Sequence, residues 1–134
     1  MKHFLACLAL LAGAAAAQDA PPPCPAAEDV APKELLGTWK AEMQGDRDTA
    51  TVTLVPHPDY VQSFRGTVDR DGHRSQVAGD LDDEGFTLEE SADGVHIAAT
   101  WLGDVVDGSC GREIRGTWTK DGETSGKTFV LHKQ

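Results

Sequence analysis

The side chains able to support acid–base, nucleophilic or metal chemistry are spread thinly along this chain. Beyond His3 the histidines never pair at a spacing typical of metal ligands: His57, His73, His96 and His132. A zinc site needs three or four converging ligands, so this pattern predicts no metal. The serines occupy no nucleophile elbow, and the adjacent Glu89 and Glu90 do not make a glycosidase dyad. We therefore expect a protein without a cofactor that is not an enzyme.

One acidic segment matches the first half of a calcium-binding loop. Residues 80–85 read Asp-Leu-Asp-Asp-Glu-Gly, with oxygens at alternate positions and glycine at the sixth. Helices that should flank such a loop are not predicted, and its twelfth position is Ser91 instead of a bidentate glutamate. We interpret residues 80–85 as a hairpin turn with solvated acids, and calcium binding stays the alternative.

Two of the three tryptophans, with one arginine, form the leading candidate for a binding site. Trp101 and Trp118 fall on inward positions of predicted strands, and Arg112 shares the parity of Trp118. An arginine among indoles at an open barrel end would anchor an anion or a carboxylate, so Trp101, Arg112 and Trp118 are predicted to bind a ligand. The same residues also fit a structural plug, because inward aromatic residues more often form core.

The chain begins like an exported protein. Lys2 precedes an apolar run, Phe4 to Leu11, and small residues follow from Ala12 to Ala17. This order is typical of a signal peptide, which we assign to residues 1–17. The apolar run is too short to span a membrane. We expect a soluble mature protein in the periplasm or outside the cell.

The overall charge limits the classes of partner. The sequence has 22 acidic and 12 basic residues, a formal net charge of −10. Such a surface repels phosphate backbones and anionic lipids, so we expect neither a nucleic acid nor a membrane partner. Cations and basic protein patches remain compatible with this charge, as does a role in solubility alone.

Residues 18–34 are predicted to form an arm that contains neither helix nor central strand. Five prolines remove backbone donors in this segment: Pro21, Pro22, Pro23, Pro25 and Pro32. Cys24 in the arm and Cys110 are the two cysteines left after removal of the signal peptide, and in an oxidising compartment they are expected to pair. An intermolecular bridge through the arm is the alternative.

From residue 35 onward the hydrophobic pattern has period two, which is typical of β-strands. The predicted strands are 37–43, 49–55, 60–68, 73–80, 85–90, 94–102, 110–119 and 127–133, separated by Asp-Gly and similar turns. Residues 64–67 and 114–117 repeat Arg-Gly-Thr after an apolar residue. Eight short strands joined by hairpins predict an all-β, antiparallel, up-and-down barrel over residues 35–134, because closure buries the apolar face and removes the edges.

Short motifs in this barrel resemble those of calycins, the group that includes lipocalins, fatty-acid binders and avidins. Residues 35–39 read Leu-Leu-Gly-Thr-Trp, like the first calycin strand, and residues 64–67 and 114–118 are similar to two avidin strands. The resemblance implies a structural Trp39 at the closed end of the barrel, with Lys133 of the last strand across its ring. Ala41 and Val68 occupy positions where avidins have polar ligand-binding groups, so biotin is not expected. Small periplasmic protease inhibitors also build eight-stranded barrels behind an N-terminal arm.

Two functions remain open. The leading hypothesis is an exported, non-enzymatic binding protein that takes a small hydrophobic or aromatic ligand at the barrel mouth. The alternative is a protein-binding module, such as a periplasmic inhibitor of a secreted protease or other hydrolase, acting through its arm and acidic loops.

Overall fold

The computed structural model describes residues 13–15 and 23–134. Eight strands form one sheet: β1 Gly37–Met43, β2 Ala50–Pro56, β3 Ser63–Arg70, β4 His73–Asp82, β5 Gly85–Ser91, β6 Ala99–Val105, β7 Glu113–Lys120 and β8 Lys127–Lys133. Each strand runs antiparallel to its neighbours, and β1 also pairs with β8, so the sheet closes. The predicted all-β, eight-stranded up-and-down barrel is confirmed. Most of the predicted signal peptide, 1–12 and 16–17, and the start of the arm, 18–22, lie outside the described residues.

The barrel has two distinct ends. The connections 57–62, 83–84 and 106–112, together with the arm, lie at one end, which we call the arm end. The connections 44–49, 71–72, 92–98 and 121–126 lie at the other, which we call the Glu90 end after a residue described below. Across the residues described, no helix is long and apolar enough to cross a membrane.

Side chains fill the inside of the barrel. Residues alternate between buried and exposed along the strands, as in β1, where Trp39, Ala41 and Met43 point inward. The largest fully buried side chains are aromatic and come from five different strands: Trp39, Phe64, Phe86, Trp101 and Phe129. A barrel of eight strands has an interior just wide enough for such side chains, so these rings form the core.

Glycines at two equivalent places allow the sheet to bend tightly. A Cβ added to Gly66 in β3 would lie 1.7 Å from the carbonyl oxygen of Thr53, and one added to Gly116 in β7 would lie 1.9 Å from that of Leu102. Real Cβ atoms do not approach backbone this closely, so only glycine fits. The repeated Arg-Gly-Thr sequence therefore reflects the same backbone contact on two separate strands.

The predicted strand 94–102 is wrong at its start. Strand β6 begins at Ala99, and Val95 and Ile97, expected to point inward, are exposed. The carboxylate of Asp93 accounts for this, because its Oδ1 accepts the N–H groups of Val95 and His96, each at 2.8 Å. These bonds form a turn that keeps Val95 and Ile97 out of the sheet. Hydrogen bonds from the side chain and backbone of His96, then from Val95 and Ser91, hold the pKa of Asp93 well below its usual range.

Two other strands, β3 and β7, begin three residues later than predicted. Tyr60 was expected to begin an inward-facing strand, yet it lies in a turn closed by hydrogen bonds between residues His57 and Ser63, and β3 starts at Ser63. Cys110 was placed in a strand, but it lies in a turn with φ of 59°, and β7 starts at Glu113. In both cases backbone bonds within a short loop replace the ladder that the alternating pattern indicated.

The arm packs onto the barrel. The prediction of an arm without helix is wrong in two places, because Ala27–Asp29 and Pro32–Leu35 form single turns of 3-10 helix. Proline suits the first position of such a turn, where its missing N–H needs no partner. Val30 and Leu35 are buried, and Val30 lies where a side chain on Gly111 would otherwise point. The predicted Cys24–Cys110 disulfide is confirmed, and it joins the arm to the turn that contains Gly111.

Candidate functional site

Trp39 and Lys133 lie together at the arm end. The ring of Trp39 is fully buried, and its Nε1 donates a hydrogen bond of 2.8 Å to the carbonyl oxygen of Leu35. The ammonium of Lys133 lies 5.9 Å from the centre of the Trp39 ring and donates to the carbonyl oxygen of Glu34. A cation at this distance from an indole face is attracted to it. These contacts join the first strand, the last strand and the arm.

Arg112 also lies at the arm end, away from the two tryptophans with which it was predicted to bind a ligand. Its Nη2 donates to the carbonyl oxygen of Lys133 at 3.2 Å, and its own carbonyl oxygen accepts the N–H of Lys133. Trp118 lies six residues further along β7, where it pairs with Lys127. Six residues of strand span about 20 Å. The structure therefore does not bring Arg112 to one mouth with Trp101 and Trp118, because the parity of a side chain fixes its face of the sheet but not the end of the barrel.

Trp101 and Trp118 do meet, at the Glu90 end. They are directly opposite each other across β6 and β7. Both indoles donate to the same oxygen: Glu90 Oε2 accepts Trp101 Nε1 at 3.0 Å and Trp118 Nε1 at 3.1 Å. Arg70 binds the same carboxylate, with Nη1 2.9 Å from Oε1. We call Arg70, Glu90, Trp101 and Trp118 the Glu90 cluster.

The Glu90 cluster is internally satisfied. Among the residues that the structure describes, Glu90 is the only buried charged residue, with 3% of its surface exposed. Burial of the carboxylate raises its pKa, but the hydrogen bonds from Arg70 and Trp118, the charge of Arg70 and the bond from Trp101 together hold the pKa of Glu90 below its ordinary value. Glu90 is therefore ionised at neutral pH, with four donor contacts to its two oxygens.

The two tryptophans differ in their access to solvent. Trp101 is fully buried and packs edge-on against Phe129, with ring centres 5.0 Å apart. Trp118 is only partly buried, and its ring lies 5.5 Å from the guanidinium carbon of Arg70 and 6.0 Å from the ammonium of Lys127. A ligand at this end would meet Trp118 and its two cations, whereas Trp101 lies behind them.

Sequence reasoning named Glu90 only to reject a glycosidase dyad, and it did not single out Arg70. The signal that points to them is strand parity, because Glu90 is two residues beyond Leu88 and Arg70 is two residues beyond Val68, both inward-facing. A carboxylate and a guanidinium at inward positions of neighbouring hairpins must pair to avoid a large desolvation cost. Glu89, its neighbour in sequence, points outward, so the two glutamates do not face each other.

A prominent exposed ridge stands at the arm end. The loop 57–62 presents Tyr60 and Val61 at its tip, with Tyr60 65% and Val61 99% exposed. The loop is held by two backbone bonds of 3.2 Å, from the N–H of His57 to the oxygen of Ser63 and from the N–H of Ser63 to the oxygen of Tyr60. These two apolar side chains are thus presented on an ordered turn, which we call the Tyr60 ridge.

One groove lies between the Tyr60 ridge and the arm. Its volume is about 470 Å³, and its apolar wall includes Val30, Leu81 and Val105. Five carboxylates surround it: Glu28, Asp82, Asp83, Asp104 and Asp107. We call it the acidic groove. No lysine or arginine lines it, so it favours a partner that carries positive charge.

A second groove lies on the other side of the ridge, along the outer face of β3, β4 and β5. Its volume is about 400 Å³. The rings of His57 and Tyr60 stand at one side, with centres 4.9 Å apart. Its polar lining is Ser63, Asp80, Thr87 and Glu89. We call it the aromatic groove.

The structure gives no sign of a metal centre in the residues it describes. There, no three His, Cys, Asp or Glu side chains converge closely enough to hold a metal ion. The segment 80–85 forms the end of β4, a two-residue turn and the start of β5, and Asp82 Oδ1 accepts the N–H of Glu84 at 2.8 Å. That turn is the hairpin favoured by the sequence, and calcium binding by it stays the untested alternative.

Comparison with known proteins adds no relative. No protein-family model matches the chain, and no curated protein matches it significantly in sequence. The resemblance to calycins stays a prediction based on its short motifs.

Proposed function

We propose that this protein is a non-enzymatic, protein-binding module that acts outside the cytoplasm, and that it binds a basic protein partner with its arm end. An inhibitor of a secreted protease or other hydrolase is the simplest protein of this kind. The observation that carries the proposal is the Tyr60 ridge, an ordered apolar tip with an acidic groove on one flank and the aromatic groove on the other. Interfaces commonly have an apolar anchor within a polar surround.

The packing of the barrel supports an external rather than an internal binding surface. Five aromatic rings and many aliphatic side chains occupy the interior, and Trp101 is fully buried. The charge of the protein, −10 over the whole sequence, attracts a basic partner and speeds its association. The Cys24–Cys110 disulfide is compatible with an oxidising compartment, and we propose the periplasm or the extracellular space.

The test is a comparison of two surface variants in binding. Secreted and periplasmic proteins would be passed over immobilised protein, and each retained partner would be purified and its affinity measured. The double variant Tyr60→Ser/Val61→Ser removes the ridge, whereas Val95→Ser/Ile97→Ser removes a similarly exposed apolar pair at the Glu90 end. We expect the ridge variant to lose affinity at least tenfold, since anchors of an interface commonly contribute this much, and the control variant to bind like the wild type.

Two results would overturn the proposal. One is a partner whose affinity depends on Val95 and Ile97 but not on the ridge. The other is the absence of any protein partner combined with ligand binding at the Glu90 end. Deletion of the arm is a poorer test, because Val30 and Leu35 are buried and Cys24 is bonded, so the barrel itself would be weakened.

A small ligand at the barrel mouth is the second candidate function. It is favoured by Trp118, which is partly accessible and lies between Arg70 and Lys127. This arrangement suits an aromatic acid or an acyl carboxylate, because the guest would contact an indole beside two cations, which pair with Glu90 and Asp46. Titration of tryptophan fluorescence with aromatic and fatty acids tests it. Lys127→Gln should weaken an anionic guest about tenfold, as expected for loss of a charge-assisted hydrogen bond, and Arg112→Gln should leave it unchanged.

A further inference from the structure

We propose that the aromatic groove is a binding site for one basic side chain of the partner, arginine in preference to lysine. The inference rests on the proposed function, since it takes the occupant to be part of a protein. It goes further by assigning a specific site, whose lining includes His57, Tyr60, Ser63, Asp80, Thr87 and Glu89.

The strand register places the polar groups of the groove in line. Ser63 pairs with Asp80 across β3 and β4, and Asp80 pairs with Thr87 across β4 and β5. All three belong to the outward-facing set of their strands, opposite in parity to buried Phe64 and Leu88. The Ser63 hydroxyl donates to Asp80 Oδ1, which orients that carboxylate. The other oxygen of Asp80, Oδ2, makes no hydrogen bond to a described side chain.

The second carboxylate lies one row further along the sheet. Glu89 pairs with Ala78, which is two residues before Asp80 on β4. Residues related in this way on one face are about 7–8 Å apart, a separation that one extended guanidinium can bridge. Ala78 is small and leaves the space between the two carboxylates open.

The groove lacks a cation of its own. Arg65 is the nearest basic residue in register, opposite Ala78 on β3, but it does not line the groove. In the described ranges neither Asp80 nor Glu89 has a basic side chain within 4.0 Å. Two carboxylates on one open surface without a paired counter-charge attract a cation from solution.

The aromatic pair distinguishes this groove from a plain acidic surface. His57 Nδ1 accepts the N–H of Asp59 at 3.1 Å, which orients the imidazole against the Tyr60 ring. Tyr60 remains 65% exposed, so its face is open to a ligand. A guanidinium stacks on such a ring while its N–H groups bind carboxylates, and its planar fork suits paired oxygens better than an ammonium does. Aromatic and acidic groups together therefore favour arginine.

A test with a small probe separates this site from the proposed function. The wild-type protein would be titrated with N-acetyl-arginine amide and followed by amide chemical shifts. N-acetyl-citrulline amide, which has the same shape without the charge, is the neutral control, and a methyl glycoside tests for a sugar site. We expect shifts at Ser63, Asp80 and Thr87 with the arginine probe, weaker binding of the lysine analogue, and none with the other two probes.

Two variants localise the effect. Asp80→Asn removes one charge inside the aromatic groove, and Asp82→Asn removes the same charge from the same face of β4 in the acidic groove. Asp80→Asn should weaken the arginine probe about tenfold, as loss of a charge-assisted hydrogen bond predicts, and Asp82→Asn should leave it unchanged. Equal binding of citrulline amide, binding of the glycoside instead, no shift at all, or equal effects of the two variants would each overturn the site.

The same variants keep the two proposals distinguishable. A partner that needs the Tyr60 ridge but binds Asp80→Asn as well as wild type would leave the proposed function standing and overturn the arginine site. An arginine probe that binds in the groove of a protein without any protein partner would support the site and overturn the proposed function.

Discussion

Glu90 and Arg70 form an ion pair, 2.9 Å between Oε1 and Nη1, in which the carboxylate is buried and the guanidinium reaches the surface. Two indole N–H groups complete the bonds to this carboxylate. A buried ion pair adds little net stability when it replaces good apolar packing, but breaking it by removing one partner is costly. The pair therefore makes the Glu90 end sensitive to both mutation and pH.

The free energy of unfolding should decrease as the pH is lowered through the range in which Glu90 becomes protonated. The folded-state pKa of Glu90 lies below its ordinary value, so its contribution is fully present above the unfolded pKa, about 4.3, and is lost as pH falls through the lower folded pKa. Urea unfolding of wild type and Glu90→Gln across this window measures the effect. The variant should be less stable at neutral pH by about 1–3 kcal/mol, the cost of unmatched buried partners, and the difference should shrink in acid. A difference independent of pH would contradict this.

Removal of Arg70 alone should lower the stability of the protein more than removal of both Arg70 and Glu90. Arg70→Met leaves the buried carboxylate without its counter-charge, so we expect a loss of about 3–5 kcal/mol in the free energy of unfolding. The double variant Arg70→Met/Glu90→Gln should recover part of this loss, because it carries no isolated charge. Equilibrium unfolding of the two single variants and the double variant gives the coupling energy. Additive losses would show that the two residues act independently.

Reduction of the disulfide should destabilise the protein without changing its fold. Cys24 and Cys110 close a loop with a sequence separation of 86, for which chain entropy predicts about 4–5 kcal/mol. Thermal unfolding with and without reductant measures the loss, and β-type circular dichroism at low temperature should persist. The variant Cys24→Ser should match the reduced wild type. A Cys24→Ser protein as stable as the oxidised wild type would contradict the prediction.

The glycines of the two Arg-Gly-Thr repeats should not tolerate alanine. Gly66→Ala and Gly116→Ala each place a Cβ inside the radius of a neighbouring carbonyl oxygen, and we expect losses of about 3 kcal/mol or more. Gly122 is the control, since it has φ of 80° with open space around it and asparagine accepts that conformation. Gly122→Asn should change the unfolding free energy little. Equal effects at all three positions would indicate that glycine itself, rather than the close contact, is required.

The indole nitrogen of Trp39 should contribute to stability separately from its ring. Trp39→Phe keeps most of the buried ring but leaves the carbonyl oxygen of Leu35 without its donor. This should lower the free energy of unfolding by about 1–3 kcal/mol. Trp39→Ala removes the ring as well and should lower the free energy of unfolding by about 3–5 kcal/mol. Chemical unfolding of both variants checks the order. If Trp39→Phe were as stable as wild type, the hydrogen bond to Leu35 would not matter for folding.

The strands could be predicted from sequence wherever one face is apolar along the whole strand. The predicted bounds of β1 and β8 agree with the structure, because their alternation continues to the turns. The prediction failed where side chains form local bonds, as Asp93 does with the backbone of Val95 and His96. Val95 and Ile97 continue the alternating pattern without joining the sheet, so pattern alone overextends β6.

The candidate site was less predictable for a related reason. Parity predicted that Trp101, Trp118 and Arg112 share a face, yet the height of each residue along the barrel depends on the register of eight strands. The Tyr60 ridge depends on hydrogen bonds within one loop, and the grooves beside it combine side chains from segments distant in sequence. Periodicity in the sequence does not encode these relations.

Closure of the barrel through β1 and β8 has a consequence for the order of assembly. Trp39 pairs with Lys133, so the first strand keeps an unpaired edge until the last one has emerged. Non-local closure of this kind slows folding and leaves the incomplete sheet able to pair with other chains. In a chain passed unfolded through a membrane channel, the arm and β1 would arrive first and wait for β8. The Cys24–Cys110 bond also links an early segment to a late one, so it would form after the sheet has closed and would then hold the arm against it.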